Sequence, residues 1–456
     1  MSLYRTLNPA TGELVREYPC DDERTVEQTL TTADAAFQAW RRSEFAKRRA
    51  LLQALADLLD AEAESHALTI TDEMGKTFKS AIAEVTKCAS TCRWYADQGE
   101  ALLAPERIAM PESATEVRYE PIGTVLAVMP WNFPFWQVIR FLAPALMAGN
   151  AVILKHAPNT PASALALVDL LDRAGAPPGL FQNLFIDNEQ VRRLIQDPRV
   201  AAVTLTGSER AGEAVGSAAG AALKRSVLEL GGSDPLIVMP SGDFEAAVRA
   251  AVFARNQNNG QSCVCAKRIL VDRSLYERFR DAFVDAVGGL QVGDPLLDET
   301  DVGPLATFEA RSRLAKQVER AVAEGGVVLV GGRPSDLAGA FYMPTVIEAP
   351  QPGASIRKEE LFGPVALLFA FDDIDEAIEI ANETPFGLGA SVWTSDAEEC
   401  AAFAERLECG MTFFNSITAS DPRLPFGGIK RSGFGRELGR WGMLEFVNIR
   451  TVVAAK

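Results

Sequence analysis

The chain has 456 residues, well beyond the roughly 250–300 at which a single core stops growing, so packed domains are expected and a small binding module is excluded. With 48% hydrophobic and 23% charged residues it has the composition of a folded globular protein, and a net charge of −16 offers no attraction for DNA, RNA or anionic lipid. The opening MSLYRTLNPATGE has neither the basic nor the apolar part of a signal peptide, and no apolar run approaches the ~20 residues of a membrane span, so a cytoplasmic protein with no nucleic-acid or membrane partner is expected.

From about Asp22 to Gly99 apolar residues recur every three to four positions through VEQTLTTADAAFQAW and RRALLQALADLLDAEA, which predicts a helical lead-in. After Ala104 the pattern turns strand-like: ATEVRYEPIG and TVLAVMP predict a strand pair near residues 115–128, with Pro and Gly at the turns. A long helix follows Pro134. AVILK then opens an alternation of strand and helix signals through SALALVDLLDRAG, GLFQNLF, VRRLIQ, AAVTLTG and a small-residue helix from Ser208 to Lys224. A second alternating series begins near Leu236 and continues to GASVWTS and MTFFN. Such alternation predicts an α/β fold class, with parallel sheets covered by helices on both faces. The tail from Phe446, VNIRTVVAA, reads as a β-rich segment able to extend a neighbouring chain's sheet.

The scarce residues narrow the chemistry. Two histidines, His66 and His156, exclude a His-rich metal site, and no metal is expected. His66, in AEAESHALT, reads as a surface histidine. Seven cysteines lie scattered without zinc-like CxxC pairs, which fits a reducing compartment. Catalysis must then rest on Cys, Glu, Asp, Lys or a cofactor. Cys263, in GQSCVC, follows a Gly-polar turn; most cysteines are inert core residues, but the polar run NQNNGQS predicts that this one stands at a cleft. Glu229, in LELGG, has an apolar and glycine setting that raises its pKa and suits a general base, the plainer reading being a surface residue ending a strand. Asn132, in PWNFP, either faces a developing oxyanion or caps the following helix. TLTGSE places a glycine-bearing turn before a helix whose N–H groups can hold pyrophosphate, while Thr206 and Glu209 also have the spacing of a capping box.

Together with ELFGP at Glu360–Pro364 and PFGGIKRSG at Pro425–Gly433, these segments resemble the aldehyde dehydrogenase superfamily over essentially the whole chain, from NPATGE to the tail. The resemblance implies a Rossmann-type cofactor domain over residues 1–105 and 122–231, a catalytic α/β domain over 232–430, and small β elements at 106–121 and 441–456 that join subunits into a homodimer or homotetramer. It implies that Cys263 attacks the aldehyde carbon, that Asn132 and the cysteine's own N–H hold the oxyanion, and that Glu229 activates the water that hydrolyses the thioester. Glu360 matches the residue that holds the nicotinamide ribose and Phe362 the one packed near the nicotinamide. Trp131, Lys155, Gly207 and Ser208 match the dinucleotide site.

Family members that favour NAD commonly carry a glutamate three residues after the lysine matching Lys155, where this chain has Pro158. Removing that anion beside the Lys155 ammonium lowers the penalty for a 2′-phosphate, so NADP is the expected cofactor and NAD the alternative. His156 either adds to that site or is a neighbour of no special function. Arg140, in FWQVIRFLAPALMAG, is a guanidinium in a mostly apolar helix and must be paired, either with an acidic residue of the protein or with a ligand's carboxylate. Its position matches the substrate arginine of succinate-semialdehyde dehydrogenases, and Ser420 falls where that group has its substrate serine. Gln257 replaces a second arginine seen in some members, leaving the nearby Arg255 as a further cation. Cys265 is either a redox partner of Cys263 or a small strand residue. The expected function is oxidation of succinate semialdehyde to succinate; the alternatives are another small aliphatic aldehyde, an acylating enzyme, or a non-catalytic crystallin-like scaffold. Acylating relatives generally lack the base matching Glu229.

Overall fold

The structure is a computed structural model that describes residues 4–111 and 113–455. It opens with an antiparallel hairpin, Tyr4–Leu7 against Leu14–Tyr18, followed by the expected helices Glu23–Trp40, Phe45–Ala61, Ala63–Met74 and Phe78–Leu102. Their apolar spacing explains their packing: in the first, Val26, Leu30, Ala33, Phe37 and Trp40 share the buried face, and Asp22 caps its start by accepting the Thr25 N–H. His66 departs from the surface expectation. It is buried on the helix face that also carries Ala67, Ile70 and Met74, its ring tilted against Phe135 at 5.2 Å, with Glu62 one turn earlier facing Nε2 at 3.4 Å without a hydrogen bond.

A six-stranded sheet follows, in the order Gly433–Phe434, Arg225–Glu229, Val200–Thr206, Thr124–Val128, Ala151–Lys155, Phe181–Asn183. All neighbours are parallel except the added strand Gly433–Phe434. Alternate residues of one strand enter different cores: Val125 and Ala127 pack with the Trp136–Ala148 and Pro161–Arg173 helices, whereas Leu126 packs with Val191, Leu194 and Val215 on the other face. The seven-stranded sheet repeats this design in the order Val327–Val330, Thr345–Glu348, Val365–Phe371, Ala266–Asp272, Asp234–Val238, Gly389–Trp393, Met411–Phe414. Only its edge strand Val327–Val330 is antiparallel. The α/β reading therefore holds for both halves.

Register places the chemistry. Val128 lies level with Lys155 and Leu205, and Thr206 with Glu229. The segments that leave these strands, 129–132, 156–158 and 207–208, thus emerge along one edge, at the carboxyl ends where α/β sheets bind ligands.

The strand pair expected near residues 115–128 divides between two sheets. Ser113–Pro121 joins Glu106–Met110 and Val447–Ala455 in a small antiparallel sheet, and Thr124–Val128 enters the six-stranded one. The tail pairs with its own chain over its full length, from Val447 opposite Pro121 to Ala455 opposite Ser113. Asn150, fully buried, fastens the junction: Oδ1 accepts from the Ile122 and Gly123 N–H groups, and Nδ2 donates to the Phe446 carbonyl at 2.9 Å. Asn150→Ala leaves those backbone groups buried without partners, at about 1–3 kcal/mol each. It should lower the urea unfolding midpoint and raise amide exchange in the 447–455 strand; exchange there equal to wild type would contradict this anchor.

Candidate active site

A cavity of about 710 Å³ is lined by the Phe78–Leu102, Trp136–Ala148 and Phe244–Asn256 helices and by loops, among others by Lys87, Arg140, Gln257, Cys263, Ser420 and Phe426. Cys263 reaches it from a turn that the sequence makes possible in an unexpected way. Asn258 and Asn259 adopt left-handed backbone (φ 56 and 57), followed by Gly260 at φ 73. Asparagine tolerates this region, and at Gly260 a Cβ would stand 2.3 Å from the Gly363 backbone, so only glycine fits. The polar run was expected to set Cys263 at a cleft, and Cys263 does line the cavity, yet Asn258, Asn259, Gln261 and Ser262 themselves are all buried. Their amides serve the protein itself: Asn258 Nδ2 donates to the Asn132 and Gln261 carbonyls, and Asn259 Nδ2 to those of Gly75 and Pro304. Cys263 is half-buried at the cavity wall.

Burial pushes the Cys263 thiol up to about 12, offset in part by the positive charges of Arg140 and Lys267. The charges of Glu360 and Glu229 also reach it and act in the opposite direction, so the sulfur, both carboxylates and Arg140 share one neighbourhood. Lys267 donates to the Ser262 carbonyl at 2.7 Å and to that of Cys263, fixing the loop from below. Cys265 is fully buried, its Sγ 3.6 Å from the Gln257 carbonyl, and its N–H closes the turn on the Ser262 carbonyl.

Asn132 does not cap the following helix. The first amides there, Phe135 and Trp136, are taken by Glu84 Oε1 at 2.8 and 2.9 Å. Freed from capping, the Asn132 side chain donates to the Gln261 carbonyl at 3.1 Å, two residues before Cys263. An amide has a second hydrogen, which remains available. Glu229 is a buried strand end, not a surface residue, and its Oε1 makes no hydrogen bond. Desolvation, then the charge of Glu437, push its carboxyl well above the usual range, while Arg140 pulls the other way.

Arg140 is 2% exposed and its Nε pairs with the equally buried Glu437. Of the two partners left open by the sequence, an acidic residue of the protein is thus present. Arg140 also lies over the Phe426 ring at 4.5 Å, and Nη2 donates to Thr206 Oγ1 at 3.3 Å. Arg255 is turned away from a substrate role: buried, it donates to the Gly260 carbonyl at 2.6 Å and props the cysteine turn. Ser420 accepts a hydrogen bond of 2.6 Å from Lys87, whose ammonium also lies 4.4 Å from the Trp136 ring centroid.

The residues expected to hold a dinucleotide surround the sheet edge. Phe362 stands edge-on to Trp131 at 5.7 Å. Glu360 accepts the Gly232 N–H at 3.0 Å and faces Lys267 at 3.3 Å; a Cβ on Gly231 would come 2.5 Å from Glu360 Oε2, so the glycine pair lets the carboxylate lie against the backbone. Ser208, rather than a Thr206–Glu209 box, caps the Glu209–Ala221 helix by accepting from Ala211, while Glu209 pairs with Arg431. The Gly207 N–H is spent on the Glu229 carbonyl, at 2.9 Å. Lys155 is buried with no ion pair among the described residues, 5.8 Å from the Tyr4 ring, and burial lowers its ammonium to about 8. A buried cation without an anion fits a phosphate-bearing ligand. Pro158, three residues on, is exposed and accepts the Arg5 N–H through its carbonyl. His156 turns inward: fully buried, it bonds the Pro134 carbonyl through Nε2, and Nδ1 meets the Ala157 N–H and Thr160 hydroxyl, both at 2.8 Å. It shapes the Lys155 loop and does not face a ligand. Among the described residues no cluster of ligating side chains suits a metal ion, and no helix is long and apolar enough to cross a membrane.

Sequence reasoning missed Lys87, Glu84, Glu437 and Lys267. Glu84 and Lys87 carried a signal, charged residues three apart in a helix whose neighbours Val85 and Cys88 are apolar. Glu437, in the loop-like RELGRWG, carried none.

The aldehyde dehydrogenase family model matches residues 2–452. The chain is 51% identical over 450 residues to the succinate-semialdehyde dehydrogenase [NADP(+)] 1 of Mycobacterium tuberculosis, covering 98% of each, and 52% identical over 451 residues to the succinate-semialdehyde dehydrogenase [NADP(+)] of Mycobacterium avium, covering 98% of this chain and 96% of that one. Among solved structures it superposes on the succinic semialdehyde dehydrogenase of Streptococcus pyogenes in complex with NADP+ with a TM-score of 0.97, at 36% identity, over 99% of this chain and 100% of that one.

Two outcomes follow from the charges. Arg140→Met strands the Glu437 carboxyl in the core and should destabilise the protein by about 3–5 kcal/mol in urea unfolding, most of it recovered by adding Glu437→Leu; a double variant no more stable than the single one would deny the pair. With its thiol held high in the ligand-free protein, alkylation of Cys263 by iodoacetamide, followed by peptide mass spectrometry, should rise roughly tenfold per pH unit between about pH 7 and 10. A plateau near neutrality would show a thiolate already formed.

Proposed function

The chain belongs to the aldehyde dehydrogenase family, and we propose that it oxidises succinate semialdehyde to succinate with NADP, accepting NAD less well. The observation that carries this reading is a single cavity walled by Cys263 and by the cationic, hydroxyl-bearing group of Arg140, Lys87 and Ser420, room for an aldehyde with a carboxylate at its other end.

In this proposal the Cys263 thiol gives up its proton to water in the cavity, and the thiolate sulfur adds to the aldehyde carbon, opening the carbonyl to an alkoxide. The free hydrogen of the Asn132 amide and the Cys263 N–H stabilise that oxygen; the bond from Asn132 to the Gln261 carbonyl holds the donor still beforehand, so little reorganisation is needed. A bound nicotinamide dinucleotide supplies the hydride acceptor. Glu360, braced by Gly232 and Lys267, and Phe362, against Trp131, orient its reactive end, while Lys155, Pro158, Gly207 and Ser208 border the adenosine and phosphate end. Glu229 then takes a proton from the water that releases the acid, a task suited to a carboxylate made more basic by burial. Its presence favours hydrolysis over transfer to a thiol acceptor.

NADP is favoured by what is missing around Lys155: Pro158 leaves no carboxylate where a 2′-phosphate would be repelled, and like charges ~4 Å apart cost several kcal/mol at an effective dielectric near 20. The reading extends to a cytoplasmic homodimer or homotetramer. Supporting the oligomer, the small sheet exposes Ile108, Met110, Ile449 and Val453, each about half open to solvent, on edge strands whose outer sides are unpaired among the described residues.

Absorbance of reduced cofactor, followed with succinate semialdehyde and butanal and with each dinucleotide, tests the proposal. Succinate semialdehyde with NADP should give the highest kcat/KM, Cys263→Ala none, and Pro158→Glu should shift the cofactor ratio toward NAD by roughly tenfold or more, the worth of one nearby charge. Equal use of the two aldehydes, or a cofactor ratio unmoved by Pro158→Glu, would overturn the substrate or the cofactor assignment respectively.

A further inference from the structure

The Trp136–Ala148 helix begins shortly after Asn132, and its first amide hydrogens have no partners within the helix. Asn132 stands three residues before Phe135, the spacing at which an asparagine oxygen caps a helix. Its Oδ1 is nevertheless buried with no hydrogen bond. The amides of Phe135 and Trp136 go instead to Glu84 Oε1, at 2.8 and 2.9 Å. A carboxylate outcompetes a neutral amide oxygen for these hydrogens, because the acceptor is charged and the helix end is positive.

Glu84 is itself held in place. Its Oε2 accepts from Lys76 at 2.5 Å, a pair buried on both sides. The Lys76 ammonium also lies 3.9 Å from the centroid of the Phe133 ring, next in sequence to Asn132, and the carbonyl of the preceding Gly75 accepts from Asn259 in the cysteine turn at 2.8 Å. The short segment Gly75–Lys76 thus reaches the turn that carries Cys263 directly and the turn that carries Asn132 through Glu84. A buried ion pair adds little net stability over an apolar pair of the same shape, so what this one supplies is direction.

We propose that Glu84, braced by Lys76, is a positioning residue for the reaction: by occupying the helix amides it keeps the Asn132 side chain from turning into a cap, so that Nδ2 stays on the Gln261 carbonyl with its second hydrogen left for the reacting oxygen. This rests on the reading of Asn132 as an oxyanion donor. Without the Glu84 oxygen the helix end still needs an acceptor, and Asn132 Oδ1 stands at the right spacing to become one. That rotation carries Nδ2 off the Gln261 carbonyl. Glu84 therefore acts on the chemical steps through Asn132.

The experiment compares Lys76→Met/Glu84→Gln, which removes both charges but keeps an oxygen for the amides, with Lys76→Met/Glu84→Leu, which removes that oxygen as well. Each is made in the wild-type chain and with Asn132→Ala, thermal midpoints verify folding, and the single-turnover rate of cofactor reduction reads the chemical steps. The Leu pair should slow that rate roughly 10- to 100-fold with KM little changed, less than the loss of a whole oxyanion donor, and the Gln pair should restore most of it. With Asn132→Ala already present, the Leu pair should slow it further by less than about threefold, because the group it misplaces is gone. A merely structural defect slows both backgrounds alike, and that result overturns the assignment, as does a rate unchanged by the Leu pair or not restored by the Gln pair. Glu84→Asp covers the case in which the Leu pair does not fold. It keeps the charge beside Lys76 but is one methylene short of the helix, and should slow the wild-type chain by about 3- to 10-fold and the Asn132→Ala chain hardly at all. Equal slowing of the two, or none in either, again overturns the assignment. A wild-type rate retained in Asn132→Ala alone instead strikes the oxyanion reading, a result separate from any effect at Glu84.

Discussion

The site depends on two asparagines forced into left-handed backbone just before the reactive cysteine. Each position there costs conformational energy that an ordinary side chain does not recover, and Asn258 and Asn259 recover it through their amides. Asn259 bonds the Gly75 and Pro304 carbonyls and accepts the Gly303 N–H, tying the turn to the helical lead-in and to a loop of the second half at once. Asn258 bonds the Asn132 carbonyl. The cysteine turn and the residue that carries the second amide are therefore locked to each other by hydrogen bonds, which fix distance and direction more sharply than packing alone.

A comparable economy governs Glu229. Strand register sets it level with Thr206, and its carbonyl takes the Gly207 N–H, so the main chain is fully held while the carboxyl is left with an unpartnered oxygen. A carboxylate in that condition is costly and correspondingly basic, which is what the proposed role of Glu229 in activating water requires. Glu437 sharpens the effect by adding a second buried carboxyl, and Arg140 keeps the two from making the region untenable. The Arg140–Glu437 pair thus belongs to the electrostatics of the base as much as to the wall of the cavity.

The α/β alternation was legible because strands buried on both faces read as short apolar runs between turn signals, and AVILK and TVLAV are such runs. The reactive residues were legible only jointly. Cys263 stood out through its polar neighbours, yet those neighbours turned out to be internal scaffolding: a sequence records that a residue is polar, not whether water or a carbonyl satisfies it. His66 was misjudged for a related reason: its polar neighbours in sequence hid a buried helix face shared with Ala67, Ile70 and Met74. Arg140 announced that it needed a partner, but the partner comes from the far end of the chain, and long-range ion pairs leave no local pattern. The break at Pro121–Gly123 was visible as punctuation; that it separates two sheets was not, since either pairing satisfies the strand's own alternation.

The distribution of charge ties these strands of argument together. A protein with a net charge of −16 has carboxylates to spare, and several buried cations have taken one: Arg140 has Glu437, Lys76 has Glu84, and Lys267 has Glu360. Arg48, Arg255 and Arg268, equally buried, are held by backbone carbonyls instead. Two lysines at the ends of the reaction cleft, Lys155 and Lys87, have no carboxylate partner among the described residues. Lys155 lies at the carboxyl edge of the six-stranded sheet, and Lys87 lines the cavity that Cys263 borders; both are lowered to about 8, with desolvation the leading cause. Keeping an ammonium buried without a counter-ion is unfavourable, and in a chain so rich in acids a partner would have been easy to supply. On the proposed reading the Lys155 charge is balanced when a phosphate arrives with the dinucleotide, so binding energy from that remote end helps to place the aldehyde carbon beside the Cys263 sulfur.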